Sequence, residues 1–297
     1  MAARTVSARL SEVICLLMLE FYITLLVYQL YKLAYIRRLM SVESTPVLSR
    51  PAEHVAFIEL NRPANANRIQ PDDLAELERL LDQCEVDEQV HVLILTGRGK
   101  YFSAGYDLRA LASGVGVNQR SHEGDDSAFE HVANRLESTR LITIAAINGP
   151  VIGGATDFAL ACDLRLGEES AYMLMPAARF GLPLYAGALQ RYVSRLGLSH
   201  AKRLVFMAEK VPATDMLATG FLHEILPADA LLARALAVGV DIAAMPSRPL
   251  AAMKQVLNAA AYGQGTAPDQ RAALLAAYDG PAIAERAMAA QRQRASR

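Results

Sequence analysis

The sequence has no tryptophan, only three cysteines and almost no net charge, and the last two of these shortages exclude classes of protein. Cys15, Cys84 and Cys162 are odd in number and far apart, so they indicate neither a disulfide framework nor a zinc site. The histidines show no metal-ligand spacing, and we expect no metal. With a formal net charge of −1 and no basic patch, nucleic-acid binding is not expected. The cysteine usage indicates a reducing compartment, which predicts a cytoplasmic protein.

Hydrophobic residues, by contrast, make up 53% of the 297 positions, and one long apolar run stands apart near the amino terminus. Residues 13–36 are long enough for a membrane-spanning helix, which needs roughly 20 apolar residues. Polar residues recur every four positions from Glu20 to Lys32, a pattern that also fits an amphipathic helix on a membrane or a partner. A third interpretation is a misassigned start, with Met40 opening the protein. We therefore separate residues 1–40 from the rest, and membrane contact through residues 13–36 stays open.

The rest of the chain alternates strand and helix patterns. HVAFIEL at 54–60 and VHVLILT at 90–96 are typical of strands, and the second should be buried on both faces. Between them, residues 71–81 begin with proline and two aspartates and carry leucines at helical spacing, so a helix is predicted. This order predicts an α/β fold with a largely parallel sheet. Two later helices, 230–244 and 249–262, are so apolar that we expect them to pack on another subunit.

Two turns of small residues follow buried strands. The first spans Phe102–Leu108 and reads FSAGYDL. The second, Asn148–Gly154, follows an apolar strand at 141–147 and leads into a helix of small residues that ends near Arg165. Both turns bring backbone N–H groups to an exposed edge and leave room beside them, so both can hold a negatively charged oxygen.

The order and spacing of these pieces resemble the crotonase (enoyl-CoA hydratase/isomerase) superfamily. The resemblance covers roughly residues 52–262 and rests on several short motifs taken together. They are LNRP at 60–63, FSAGYDL at 102–108, AINGP with GG at 146–154, ACDLR at 161–165, QR with LG at 190–197, and ATGFLHEIL at 218–226. The resemblance implies a crotonase-like α/β fold with a ββα spiral core (41–238) and a C-terminal helical oligomerisation region (239–297). It also implies a homotrimer, or a homohexamer made of two trimers.

The resemblance further implies an acyl-CoA thioester as substrate, and no cofactor besides the coenzyme A that this substrate carries. The thioester oxygen would lie between the backbone N–H groups of Ala104 and Gly154, which form the oxyanion hole. Such donors stabilise the negative charge of an enolate, and losing one costs about 3 kcal/mol of barrier. Other substrate contacts are expected around the turns and the pocket wall, so the implied binding residues are Arg62, Ala104, Tyr106, Asp107, Gly153, Gly154 and Met175.

The acid/base groups are where this sequence departs from the hydratases that it resembles. Those enzymes carry two glutamates, whereas the first position here is Asp157 and the second, after Pro176, is Ala177. An aspartate retracts the carboxylate by about 1 Å, a displacement that can cost about a hundredfold in rate. Asp157 is the candidate for proton transfer. Tyr185 is the second candidate catalytic residue, since dienoyl-CoA isomerases place an additional acid near its position.

Three functions stay open on the sequence alone. The first is a hydratase/isomerase-type enzyme (lyase or isomerase) that passes through an enolate and uses Asp157 alone to move a proton. The second is a divergent crotonase with another reaction, such as thioester or carbon–carbon bond hydrolysis. The third is a weakly active CoA-binding paralogue, in which Asp157 only complements the helix dipole and Tyr185 only lines the pocket.

Overall fold

The computed structural model describes residues 44–107 and 127–295, with side chains as far as residue 288. These residues belong to one compact unit that begins at Ser44. The expectations about residues 1–40, including the apolar run at 13–36, lie outside the described residues. Inside them, no helix combines the length and the apolar character that crossing a bilayer would need.

Strands and helices alternate along most of the described chain, which confirms the α/β class. In chain order they are β1 (Val47–Ala52), β2 (Val55–Leu60), α1 (Pro71–Val86), β3 (Val92–Gly97), α2 (Ala128–Ser138), β4 (Ile142–Ile147), β5 (Val151–Ile152), α3 (Gly154–Ala161), β6 (Leu164–Glu168), β7 (Tyr172–Leu174), α4 (Ala186–Leu196), α5 (Leu198–Met207), β8 (Val211–Pro212), α6 (Ala213–Ala218), β9 (Glu224–Leu226), α7 (Leu231–Ala243), α8 (Ser247–Ala261), α9 (Pro268–Ala276) and α10 (Gly280–Ala295). The strands predicted at 54–60 and 90–96 are present, and the helix predicted at 71–81 continues to Val86.

Within the described part, the larger sheet has the strand order β1-β2-β3-β4-β6-β9. β1 is antiparallel to β2, and all the other neighbours in this sheet are parallel, as predicted. β3 is buried along its whole length because its two faces are both covered. Leu93 and Leu95 join the core that contains the leucines of α1, whereas Val92 and Ile94 face α7. A smaller sheet, β5-β7-β8, carries the second glycine turn.

α7 packs on the larger sheet of its own chain, so its apolar character alone is no reason to expect it on another subunit. Gly239 brings the helix so close to the sheet that an added Cβ would lie 3.3 Å from Ile94 Cδ1 and 3.5 Å from Val55 and Val92. The apolar character of this helix therefore reflects burial against β2 and β3. The boundary expected between residues 238 and 239 falls inside α7, and the helices beyond it are α8, α9 and α10.

Candidate active site

A cavity of about 310 Å³ is lined by both glycine turns. Ala104 and Tyr106 come from the first turn, Gly153 and Gly154 from the second, and Asp157 from the helix that follows it. The other wall residues are mainly apolar and include Phe129, Ile152, Met175, Ala177, Phe180, Leu182, Leu184 and Tyr185. A largely apolar cavity with a few convergent polar groups is the usual form of a small-molecule site.

The two turns touch at Gly105. Ile152 N–H donates to Ser103 O at 2.9 Å, which docks the first turn on β5. Gly105 has a φ of +80°, and an added Cβ would lie 2.5 Å from Ile152 O and 2.9 Å from Gly154 N. Only glycine combines this backbone conformation with so close an approach. The contact is what brings the amides of the two turns to one place.

Hydrogen bonds decide which amide of the first turn faces the second turn. Ala104 N–H donates to Ala66 O at 2.8 Å, on the side away from β5. The prediction that Ala104 supplies an oxyanion donor is therefore wrong, although the residue lines the cavity. Gly105 O accepts from Ile69 N–H at 2.9 Å, and the next N–H in a trans peptide points the opposite way. The N–H of Tyr106 is thus directed away from Ile69, towards the side of β5.

Gly154 begins α3, and its N–H points out of the start of the helix. Gly153 O accepts from Thr156 N–H at 3.0 Å, so the Gly154 N–H of the same trans peptide faces the opposite direction. Phe129 lies against this position, because an added Cβ would be 2.6 Å from its Cζ. The close approach keeps the amide in the cavity wall, where the helix dipole favours an anion.

Asp157 lies one turn into α3 and is 1% exposed. Arg191 of α4 holds its carboxylate at two points, with Nε 2.8 Å from Oδ1 and Nη2 2.8 Å from Oδ2. Such two-point pairing is strong and fixes geometry. Burial would by itself lower the pKa of Arg191, but the hydrogen bond and the charge of Asp157 outweigh it and raise that pKa. The carboxylate of the cavity therefore comes with a buried counter-charge.

Tyr185, the residue before α4, donates its hydroxyl to Asp157 Oδ2. Burial is the main cause that raises the pKa of Tyr185 well above its ordinary value, and the charge of Asp157 adds to it. The hydroxyl therefore keeps its proton at neutral pH. The structure brings the two predicted catalytic side chains together in one wall of the cavity.

A second carboxylate lies behind Arg191. Glu137 of α2 accepts from Arg191 Nη1 at 3.1 Å and from Arg195 Nη2 at 2.6 Å. Tyr262, just after α8, donates its hydroxyl to the same carboxylate. Together with Asp157 these groups form a buried cluster of two acids and two arginines. Sequence reasoning missed this cluster, and the one signal for it was the arginine of the QR motif at 190–191.

Arg62 and Asp107, two of the implied substrate-binding residues, do not line the cavity. Arg62 pairs at 2.8 Å with both Asp72 and Asp73 in the first turn of α1. Asp107 pairs with Arg68 at 3.1 Å. Each side chain is thus used to fix the segment between β2 and α1, next to the first glycine turn.

The chain shares its sequence pattern with known enzymes. The model of a family described as enoyl-CoA hydratase/isomerase matches residues 50–279. The chain belongs to this family. A putative enoyl-CoA hydratase of Thermus thermophilus is 32% identical over 208 residues, which are 69% of this chain and 81% of that protein. The human mitochondrial Δ(3,5)-Δ(2,4)-dienoyl-CoA isomerase is 29% identical over 232 residues, covering 73% of this chain and 69% of the isomerase.

Solved structures agree with this membership. An enoyl-CoA hydratase/isomerase of Xanthobacter autotrophicus superposes with a TM-score of 0.67 at 29% identity, covering 78% of this chain and 86% of that one. The resemblance drawn from the sequence, the crotonase-like fold and the expectation of a hydratase/isomerase-type enzyme are therefore confirmed for the family. The oligomeric state and the roles of single site residues stay predictions.

Proposed function

We propose that the protein acts on an acyl-CoA thioester as a hydratase/isomerase-type enzyme that passes through an enolate. The observation that carries the proposal is the meeting of two turn amides, Asp157 and Tyr185 in one apolar cavity. The amides would stabilise the negative charge that develops on the thioester oxygen. The side chains would take part in moving the proton that leaves the neighbouring carbon. The reaction needs no cofactor besides the coenzyme A of the substrate.

The oxyanion would bind the N–H groups of Gly154 and Tyr106. Both peptides are held by hydrogen bonds on their carbonyl side, so the direction of each N–H is set before substrate arrives. Preorganised donors of this kind need no rearrangement during the reaction, and each contributes about 3 kcal/mol to lowering the barrier. This pair replaces the pair of Ala104 and Gly154 that the sequence suggested.

Asp157 would carry the proton. A single carboxylate can take a proton from one carbon of a 3-enoyl thioester and return it to another carbon of the dienolate, which shifts the double bond. Water addition asks for a second acid, and the corresponding position, Ala177, supplies none. The proposed reaction is therefore primarily double-bond isomerisation. The Tyr185 hydroxyl would orient the Asp157 carboxylate through the hydrogen bond that it donates.

One observation favours a second candidate, a CoA-thioester-binding protein with little activity. Both oxygens of Asp157 already accept hydrogen bonds from Arg191, and Oδ2 accepts a further one from Tyr185. A carboxylate so fully bonded has less capacity left for a substrate proton. In that case thioesters would bind without turnover.

A direct test uses the full-length protein with crotonyl-CoA and with a 3-enoyl-CoA, followed by product separation and a free-thiol assay. Asp157→Asn should lower isomerisation by about a hundredfold or more, and Tyr185→Phe should lower it by less. Tyr172→Phe, a tyrosine away from the cavity wall, is the matched control. Equal turnover by wild type and Asp157→Asn would refute the role of Asp157. Release of free coenzyme A would favour hydrolysis instead, and binding without turnover would favour the second candidate.

We further propose that the protein assembles as a trimer or a hexamer through the region of α8 to α10. Leu257, Leu275 and Tyr278 in this region are 69%, 71% and 73% exposed. A subunit interface formed by this region would cover these apolar side chains. Sedimentation of the full chain should give three or six times the monomer mass, and a monomeric mass would refute the proposal.

A further inference from the structure

A chain of buried and partly buried polar contacts runs from the end of α8 through α2 and α4 to Asp157 of α3 in the cavity wall. Tyr262 donates its hydroxyl to the Glu137 carboxylate, and Asn258 Nδ2 donates to Glu137 O at 3.0 Å. Glu137 in turn receives Arg191 Nη1, whose other two nitrogens hold Asp157. Arg191 of α4 thus joins α2 to α3, and α8 is connected to it through Glu137.

We propose that Glu137 is a positioning residue of the candidate site, acting through Arg191 on Asp157 and from there on the hydroxyl of Tyr185. Its effect on turnover rests on the proposed function. The link between Glu137 and Tyr185 is itself a property of the ligand-free protein and can be measured there.

The geometry of Arg191 makes this link rigid. Its guanidinium is planar, and its three nitrogens are all engaged: Nε and Nη2 by Asp157, Nη1 by Glu137 at 3.1 Å and by Asn134 at 2.9 Å. Because the fork is planar, holding Nη1 fixes the plane in which the two-point bond to Asp157 is made. Arg191 is 1% exposed, so water does not replace a lost partner without rearrangement.

Charge balance gives the link its strength. Among the described residues, the charged or titratable groups near Asp157 and Arg191 come from α2 and from α4 with the residue before it. They are Glu130 and Glu137 of α2, and Tyr185, Arg191, Tyr192 and Arg195 of α4 and its start. Glu137 faces two arginines, Arg191 and Arg195. Without that charge Arg191 keeps Asp157 as its acid, whereas Arg195 loses the acid with which it pairs, and a buried cation left unbalanced is costly. Because Asp157 shares two hydrogen bonds with Arg191, we expect a shift of the Arg191 guanidinium to displace the Asp157 carboxylate.

The test reads the position of the Tyr185 hydroxyl in ligand-free, full-length protein labelled with fluorotyrosine. The fluorine NMR resonance of Tyr185 is assigned by its loss in Tyr185→Phe. Glu137→Gln keeps the shape and one acceptor oxygen but removes the charge, and Tyr262→Phe removes only the hydroxyl at the far end. Both should shift or split the Tyr185 resonance and leave that of Tyr172 unchanged.

Lys254→Gln is the matched control. Lys254 of α8 is buried, pairs with Asp163 at 2.7 Å and donates to Leu141 O at 2.8 Å, so these bonds lie outside the chain of contacts from Tyr262 to Asp157. Its loss should lower the melting temperature without moving the Tyr185 resonance. A Tyr185 resonance that stays in place in Glu137→Gln and Tyr262→Phe would overturn the inference. An equal shift in Lys254→Gln would overturn it too, because general loosening would then explain the effect.

Turnover gives an independent second measurement. Glu137→Gln should lower kcat for the 3-enoyl-CoA by about tenfold or more with KM unchanged, because a displaced catalytic group slows the reaction without weakening substrate binding. Lys254→Gln should leave both parameters unchanged. If the Tyr185 resonance moves as expected but no thioester is turned over, the positioning link stands and the proposed function fails.

Discussion

Replacing Gly154 with alanine would test how closely the second turn is fitted to the cavity. The new Cβ would lie 2.6 Å from Phe129 Cζ and 2.9 Å from Cε1, whereas non-bonded carbons rest about 3.5–4.0 Å apart. The ring or the helix start must therefore move by about 1 Å. Phe129 has little freedom to move, because it stacks on Phe158 with centroids 4.2 Å apart and meets Tyr106 edge-on at 5.8 Å.

The expected effects on stability and on catalysis differ in size. Overpacking of this kind costs about 1–3 kcal/mol, and each kcal/mol lowers the melting temperature of a protein of this size by roughly 2–4 °C. A donor displaced by about 1 Å costs about a hundredfold in rate. Gly154→Ala should therefore melt only a few degrees lower and yet lose most of its turnover.

The assay combines thermal melting with turnover of the 3-enoyl-CoA in a double-mutant cycle. Phe129→Leu removes the ring that the new methyl group meets, so Gly154→Ala with Phe129→Leu should recover stability relative to Gly154→Ala alone. Gly265→Ala is the control, because an added Cβ there meets nothing within 4 Å. Wild-type melting and turnover in Gly154→Ala would refute both the crowding and the use of this amide.

Three further predictions test features around the site. Arg62→Ala should destabilise the fold by about 3 kcal/mol, as measured by thermal melting, and leave KM for the thioester unchanged. The loss should be smaller at low pH, because burial raises the pKa of Asp73 and a protonated Asp73 needs no cationic partner. Ala177→Glu should raise water addition to crotonyl-CoA by about tenfold or more by restoring a second acid, and no gain would count against the missing-acid argument. His223→Gln should make the melting temperature less dependent on pH between pH 8 and pH 5. Burial, followed by the charge of Arg165, lowers the pKa of His223 in the folded protein. The wild type therefore loses stability through this group as pH falls below about 6.5, and the variant does not.

The core of the fold could be predicted because its elements are encoded locally. The leucines at helical spacing in 71–86 predict a helix, and the apolar run of β3 predicts a buried strand, each from a few neighbouring residues. α7 was misread for the same reason. An apolar helix can be buried by its own sheet or by a second subunit, and nothing in 231–243 distinguishes the two. The close packing of Gly239 on β2 and β3 shows that the helix is buried by its own sheet, and this packing becomes visible only in the folded structure.

The charged cluster could not be predicted because its members are far apart in sequence. Arg191 lies 34 positions from Asp157 and 54 from Glu137. A lone arginine in an amphipathic helix is normally a surface charge, and its burial becomes visible only once α2, α3 and α4 are packed together. Arg62 misled in the opposite direction: it was expected to bind substrate, but Asp72 and Asp73 at the start of α1 are its partners.

The shift of the first oxyanion donor from Ala104 to Tyr106 follows from a property that side chains do not encode. Gly105 has a φ of +80° and interrupts the extended backbone, so the peptides before and after it do not alternate as in a strand. The bonds from Ala104 N–H to Ala66 O and from Ile69 N–H to Gly105 O determine which side each peptide takes. The identity of residue 104 or 106 therefore says nothing about the direction of its amide. For the same reason, substitutions at Tyr106 that keep the bond between Ile69 N–H and Gly105 O should retain the donor. Replacing the amide that follows Gly105 by an ester removes that donor alone, and this exchange should cost about a hundredfold in turnover. An ester between Ser103 and Ala104 should instead cost stability, since that amide serves Ala66 and not the cavity.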